Sequence, residues 1–437
     1  MSTKVNMSLS SHFIFLVVLT LSVTPSDASF RPKALVLPVT KDPSTNQYVV
    51  EFRQRTPLVP IKASLDLGGP FLWADCGNGY KSSTWKLARC GSAQCNLASS
   101  HLCITDCYKF PPPGCTNNTC GVFVDNKWTE TSTFGSLGQD TVEIPSRNGP
   151  SAGRNVSADN ILFGCAAPPV LPGLAAGVTG VAGLGRSKLS FPYQLSSAFA
   201  FPKKFAICLS RADGVIFFGG GPYKLQFPII DFKNNGGTPL ILNPVSTAGA
   251  YTVGDSSTDY FIDVKGINIS NNAVSLNTTR LRIDKDGNGG TMLSTVVPYT
   301  TMESSIYSAV VRAFAAGLPG VPVVPAVAPF TLCYNGSELG VSRVGWSVPV
   351  IDLVLPNGGG WTMFGMHSMT GVGNDVVCLA FVDGGKNPRT SIVIGSYQME
   401  ESLLEFDLAE NKLRSFNALP FIRTTCGNFN FTANLQA

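Results

Sequence analysis

Charge is scarce in this chain. Only 14 % of its 437 residues are Asp, Glu, Lys or Arg, and the formal net charge is +4. A balance that weak, without a concentrated basic stripe, excludes the phosphate-tracking surface of a nucleic-acid binder. Histidine is scarcer still, with three copies at His12, His101 and His367. That gives little support to a Ser-His-Asp triad and little to a zinc site drawing on imidazole. Long apolar runs are missing too. The longest, His12–Val23, falls short of the roughly 18–20 residues a bilayer span needs, so no membrane anchor is expected. No extended amphipathic helical pattern occurs. What the chain does have is glycine and proline, 44 and 30 residues. They favour many short strands and turns, in a length sufficient for two domains with a large core.

The apolar run follows Lys4 and precedes the small residues Ser26-Asp27-Ala28-Ser29. It reads as a secretory signal peptide over residues 1–28, cut after Ala28. Losing it leaves the net charge unchanged, because Lys4 and Asp27 go together. All twelve cysteines lie beyond that point, and an even number in an exported chain reads as disulfides rather than metal ligands. Six of them (Cys90, Cys95, Cys103, Cys107, Cys115 and Cys120) crowd into a turn-rich insertion over residues 76–120. That stretch has little core of its own and needs cross-links, which should form among the six. No metal or cofactor is expected. Export also gives meaning to the N-x-S/T sequons at Asn117, Asn155, Asn268, Asn277, Asn335 and Asn430, which together point to a glycosylated surface.

The chain is organised around Ser64-Leu65-Asp66-Leu67-Gly68-Gly69-Pro70-Phe71-Leu72-Trp73. An apolar run, an aspartate, two glycines and a second apolar run read as strand, tight loop, strand, with one carboxylate at a sheet end. This resembles the active-site loop of pepsin-like aspartic peptidases. A second such loop belongs one domain further on, where Gly289-Gly290-Thr291-Met292-Leu293-Ser294-Thr295-Val296 keeps the strand but carries Ser294 in place of aspartate. Proteolysis of this type needs two carboxylates sharing one proton. A serine hydroxyl does not titrate near neutrality and cannot join the pair. Leu67 and Val296 depart from the pattern as well, and no tyrosine lies between Gly121 and Asp140, where a flap would supply one. Asp66 therefore reads as a structural carboxylate held by loop amides. Asp284-Lys285-Asp286-Gly287-Asn288-Gly289 resembles the start of a calcium loop, but Thr295 stands where the bidentate glutamate belongs, so it reads as a solvated turn.

The halves echo each other. Val181-Ala182-Gly183 after the first loop and Val393-Ile394-Gly395 after the second are apolar-apolar-glycine strands able to thread beside it, the mark of an internal duplication. Phe30–Val39 and Gln47–Gln54 read as a hairpin, and Phe134–Val142 as the return of another. Ser305–Ala316 is the one clear helix, with Ile306, Val310 and Phe314 at helical spacing. Leu403–Leu408 alternates as a strand. The expected fold is mostly β, a bilobal pepsin-like aspartic-peptidase fold with few short helices. The N-terminal lobe spans 29–230 and the C-terminal lobe 231–437.

Longer motifs carry a narrower resemblance. Phe30-Arg31-Pro32-Lys33-Ala34-Leu35-Val36-Leu37-Pro38-Val39, Gln54-Arg55-Thr56-Pro57-Leu58-Val59-Pro60 and Asp66-Leu67-Gly68-Gly69 are similar to one plant family. So are Cys115–Phe123, Ala182-Gly183-Leu184-Gly185-Arg186, Ile351–Leu355 and the tail Arg423-Thr424-Thr425-Cys426-Gly427-Asn428-Phe429-Asn430-Phe431. The family is the xyloglucan-specific endoglucanase inhibitors and extracellular dermal glycoproteins, with cereal xylanase inhibitors and basic 7S globulins as relatives. The resemblance implies a monomeric, proteolytically inactive protein secreted to the apoplast and cell wall. Its partner would be a microbial endoglucanase acting on xyloglucan, or a xylanase. A storage or peptide-binding role like that of the basic 7S globulins is the alternative, and an active endopeptidase a remoter one. It further implies that Arg343 and Arg423 enter the hydrolase cleft, with no catalytic residues in this chain. Cys76–Cys165, Cys208–Cys426 and Cys333–Cys378 are the disulfides it implies outside the cluster.

Overall fold

The structure, a computed structural model, describes residues 1–2, 30–77, 79–107, 112–226, 229–356, 359–417 and 419–432. The stretch read as a signal peptide lies almost wholly outside the described residues. Among the described residues strand is the dominant regular structure, and the helices are short. Leu35–Lys41 pairs antiparallel with Tyr48–Gln54 on one side and Asp213–Phe218 on the other. Leu35, Leu37, Val39, Tyr48, Val50 and Phe52 all point into the main core, the period-2 alternation that a half-buried sheet demands.

Duplication is plain in the strand pairing. In the first half, Gly180–Gly183 runs parallel to Val59–Asp66, with Gly183 opposite Asp66, and antiparallel to Trp73–Asp75. In the second, Ile392–Ile394 runs parallel to Thr291–Leu293, with Ile394 opposite Leu293, and antiparallel to Thr300–Met302. Each organising loop is thus bracketed by a strand threaded from far along the chain. The glycine closing the first motif has a steric reason: a Cβ on Gly183 would collide with the carbonyl oxygens of Phe71 and Gly69.

Strands from the two halves also join directly. Lys204–Cys208 lies between Asp213–Phe218 and Leu403–Asp407, and the last of these pairs with Lys412–Phe416. Phe205 and Phe406 stack across that junction, 4.8 Å between centroids and nearly parallel. All twelve cysteines are paired. Cys76–Cys165, Cys208–Cys426 and Cys333–Cys378 join positions 89, 218 and 45 residues apart, while Cys90–Cys103, Cys95–Cys120 and Cys107–Cys115 close the insertion on itself. Among the described residues no helix is long and apolar enough to cross a membrane, and no cluster of His, Cys, Asp or Glu is arranged to hold a metal.

The helix runs Ser304–Ala316, one residue longer than its periodicity gave, because the Glu303 carboxylate caps it by accepting from the Ser305 and Ile306 amides. Ile306, Val310 and Phe314 are fully buried along one face. Truncating Phe314 to alanine should leave a cavity and cost about 3–5 kcal/mol. Urea unfolding monitored by circular dichroism measures it, and a loss under about 1 kcal/mol would mean the site collapses around the smaller side chain.

Candidate functional site

Asp66 ends the strand Val59–Asp66 and is 5 % exposed. The loop beyond turns back through Gly68, whose amide donates to Asp66 Oδ1 at 2.9 Å. Thr295 crosses from the second loop, accepting from the Leu67 amide at 2.9 Å and donating to the Leu65 carbonyl at 2.7 Å. The two organising loops therefore meet, but the stitch is one-sided, because Leu67 has no hydroxyl to return it. Ser294 does not reach across. Its Oγ accepts from the Val296 and Val297 amides and caps its own turn.

The main partner of Asp66 comes from elsewhere. The hairpin Thr119–Asn126 and Thr131–Asn148 carries Lys127 at its tip. Lys127 Nζ lies 3.3 Å from Asp66 Oδ2 and 3.1 Å from Asp259 Oδ1. Asp259 in turn accepts from the Thr247 and Ser257 hydroxyls. Burial pushes the Asp66 carboxyl above its usual range, against the pull of Lys127. For Lys127, burial opposes the charge, yet Asp259 and Asp66 together outweigh it and hold the pKa above the ordinary lysine value. One ammonium thus bridges two buried carboxylates from different stretches of the chain. Space is absent as well. The void bounded by Asp66, Phe71, Phe123 and Lys127 measures about 10 Å³, room for one water at most. A larger groove of about 770 Å³, lined by Pro70, Phe71, Leu102, Phe123, Lys188 and Tyr251 among others, includes neither Asp66 nor Ser294.

Asp66 was expected to rest on loop amides. One amide does hold it, and the rest of the work falls to Lys127. Lys127 and Asp259 were both missed in the sequence. The missing flap tyrosine flagged the hairpin but not what replaced it, and nothing in the pattern marks Asp259, just before the strand Tyr260–Ile262. The Asp284 carboxylate accepts from the Asp286 and Asn288 amides, which makes the stretch a turn.

Arg343 and Arg423 take no part in these contacts, and both are exposed. Arg343 tips the small hairpin Val341–Ser342 and Gly345–Trp346. That hairpin is docked by the Met366 amide donating to the Val344 carbonyl at 2.7 Å. Arg423 follows the 3-10 turn Leu419–Ile422 and has a left-handed backbone, φ +58°. Behind it the Thr424 hydroxyl donates to the Leu225 carbonyl, the Cys426 amide donates to Glu401 Oε2 at 3.0 Å, and Cys426 is bonded to Cys208. Neither guanidinium has an ion-pair partner among the described residues. Of the sequons, Asn117, Asn155, Asn277 and Asn430 are exposed, and Asn268 and Asn335 half-buried.

Sequence models of the xylanase inhibitor N-terminal and C-terminal domains match residues 48–220 and 259–417. The chain belongs to the xylanase inhibitor family. A Nicotiana benthamiana relative named "Probable aspartic proteinase GIP2" is 50 % identical over 424 residues, 96 % of each chain. Gamma conglutin 1 of Prunus dulcis is 42 % identical over 424 residues, 95 % of this chain and 94 % of that one. Among solved structures, edgp superposes with a TM-score of 0.90 at 48 % identity, over 93 % of this chain and 100 % of the other. Soybean basic 7S globulin superposes at 0.78 and 34 % identity, over 92 % and 100 %. The fold is thus the aspartic-peptidase-like β fold of the xylanase inhibitor family, whose members are generally without proteolytic activity. Asp259 opens the C-terminal match, Arg343 falls inside it, and Arg423 lies just past its end.

Two measurements test the electrostatics. Lys127→Ala leaves two buried carboxylates facing each other without a counter-charge, at a cost of roughly 3–5 kcal/mol. Without the pull of Lys127, burial raises the folded Asp66 pKa further, so the deficit should be largest at neutral pH and shrink in acid as that carboxyl takes up a proton. Urea unfolding at both pH values checks this, and an equal deficit at each would contradict it. The second concerns Glu401 under the Arg423 loop. Burial raises its pKa to about 7, with Glu400 adding to the rise while the Cys426 amide and Arg211 oppose it. The folded chain keeps a proton there that the unfolded chain loses near 4.5. That stability is full below the unfolded value and lost as pH rises through the folded one. Glu401→Gln should flatten the fall in urea midpoint between mildly acid and neutral pH, and an unchanged slope would exclude Glu401 as its source.

Proposed function

We propose that this protein is a secreted, proteolytically inactive inhibitor of a microbial glycoside hydrolase, most simply a xyloglucan-specific endo-β-glucanase. Arg343 and Arg423 supply the charge that meets the enzyme's catalytic carboxylates. The observation that supports this reading is the contrast between two charge sites. The carboxylate a peptidase would need is neutralised and closed over, whereas two guanidiniums are exposed, without an ion-pair partner among the described residues, and carried on loops fixed from behind. Glycoside hydrolases place two carboxylates across a cleft, a concentrated anionic target. A guanidinium forks onto a carboxylate and stays charged throughout. Export through the N-terminal leader, action in the apoplast as a monomer and glycans on the exposed sequons belong to the same proposal.

The test is inhibition of a panel of microbial xyloglucanases and xylanases by the purified protein. A xylanase as the sensitive target would change the substrate class but keep the mechanism. Removing one partner of a desolvated charge pair typically costs roughly 2–5 kcal/mol, about thirty-fold or more in affinity. Arg343→Ala and Arg423→Ala should each weaken inhibition by at least that factor, and folded Asp66→Asn should not. Normal inhibition by both arginine variants would sink the proposed surface. Ser294→Asp alone should show no peptidase activity, since Lys127 still occupies Asp66 and no space opens above it. Pepstatin-sensitive cleavage of a denatured protein by that variant would overturn the account of the lock.

A further inference from the structure

The two arginine loops have a common support, and an aromatic ring stands exposed upon it. The turn Phe364–Ser368 receives the Arg343 hairpin on one side, through the bond from the Met366 amide to the Val344 carbonyl. The approach is close enough that a Cβ on Gly345 would strike the Met366 backbone, and one on Gly365 the Trp346 carbonyl. On its other side the same turn meets the Arg423 segment. Phe421 packs edge-on against Phe364, with centroids 5.0 Å apart at 82°. Phe364 is itself fixed. Its amide donates to His367 Nδ1 at 3.2 Å, and His367 Nε2 faces the Glu400 carbonyl at 3.1 Å. Burial lowers the His367 pKa to about 4, so the ring stays neutral and this bonding pattern holds through mildly acid and neutral pH.

Phe421 is 50 % exposed although its neighbour Leu419 is wholly buried. A single exposed phenylalanine needs no explanation on its own. Here the ring lies two residues before Arg423 and is seated on the turn that carries the Arg343 hairpin, and Val341 on that hairpin is 76 % exposed. An exposed aromatic in the segment that carries one exposed arginine, seated on the turn that carries the other's hairpin, has the composition of an interface hot spot, where aromatic and arginine side chains carry most of the binding energy.

We infer that Phe421, seated on Phe364, is the apolar anchor of the docking surface, set to pack against an aromatic or apolar sugar-stacking wall of a glycoside hydrolase cleft. The inference rests on the inhibitor reading above and adds to it the apolar half of the interface. The choice of occupant follows from complementarity. The surface joins two exposed arginines and an exposed aromatic on one shared support, so the partner it fits offers paired anionic groups beside an apolar wall. A cleft that stacks sugar rings beside paired carboxylates has that pattern. The ring approaches such a wall edge-to-face or offset, with little conformational freedom to lose.

The experiment compares inhibition constants for a sensitive endoglucanase at low and high salt, using wild type, Phe421→Ala, Phe421→Trp and Arg423→Ala. Phe421→Ala should lose about tenfold or more in affinity. Its ratio to wild type should not change with salt, because screening acts on charges and not on apolar contact. The Arg423→Ala ratio should shrink as salt rises, and Phe421→Trp should inhibit within about threefold of wild type, because a larger aromatic keeps the contact. Hydrogen exchange on the wild-type complex is the check that needs no variant, and amides of 419–424 and 341–346 should gain protection together. If wild type inhibits but folded Phe421→Ala matches it, or if 419–424 gains no protection, the anchor is wrong and the arginine reading survives. If wild type inhibits nothing across the panel, both fall.

Discussion

One ammonium group holds the centre of this molecule together. Lys127 Nζ stands where three separate stretches meet: the tip of the long hairpin, the loop after Val59–Asp66, and the entry to Tyr260–Ile262. Two carboxylates 7 % exposed in their side chains would each be costly alone, and side by side they would repel. The lysine satisfies both, so hairpin, loop and strand must arrive together for any of them to be well placed. The Thr295 bridge to Leu65 and Leu67 adds a neutral stitch across the same junction. Opening the hairpin would strand charge in a dry place. What is a movable cover over a working dyad in a peptidase of this shape is here a bolt.

Much of this was legible in the residues, and the boundary between legible and hidden has a physical cause. The Asp66 loop, Ser294, the two apolar-apolar-glycine strands and the Ser304–Ala316 helix are local patterns. A turn needs its glycines next to the carboxylate, and a helix face needs its apolar residues at fixed spacing. Lys127 and Asp259 obey no such rule. Their partnership spans 132 residues and is created only when the hairpin folds over the loop. The sequence could show that the tyrosine was gone, but not that a cation had taken over the position. His367 is a similar case. As a residue it was only one of few histidines, and its role as a neutral buttress beneath Phe364 depends on the carbonyl of Glu400, 33 positions away. Arg343 and Arg423 were named from family likeness, and what the structure adds is their support. The Phe364 turn joining their loops carries no motif.

The fold divides its charged groups by what they can contribute. Buried pairs such as Arg414 with Glu405 and Asp407, or Lys41 with Glu400, cannot lose a partner cheaply. An exposed, unpaired arginine adds little to stability whichever way it points. Loops that carry such arginines are therefore free to be shaped by what they bind, provided the backbone beneath them is held. At Arg423 it is held firmly. The left-handed residue has a conformational cost of about 1–3 kcal/mol, and the Cys208–Cys426 bond, the Thr424 hydroxyl and the Glu401 carboxylate all fix the chain just beyond it. Fixing the loop before any partner arrives removes an ordering cost that would otherwise be subtracted from binding. The Lys127 contact at the centre and the support beneath the Arg423 loop are then two parts of one arrangement. With the central carboxylate held by Lys127, the hairpin, the Asp66 loop and the entry to Tyr260–Ile262 are bound to one another, and a backbone held in that way lets exposed side chains vary without unsettling what lies beneath them.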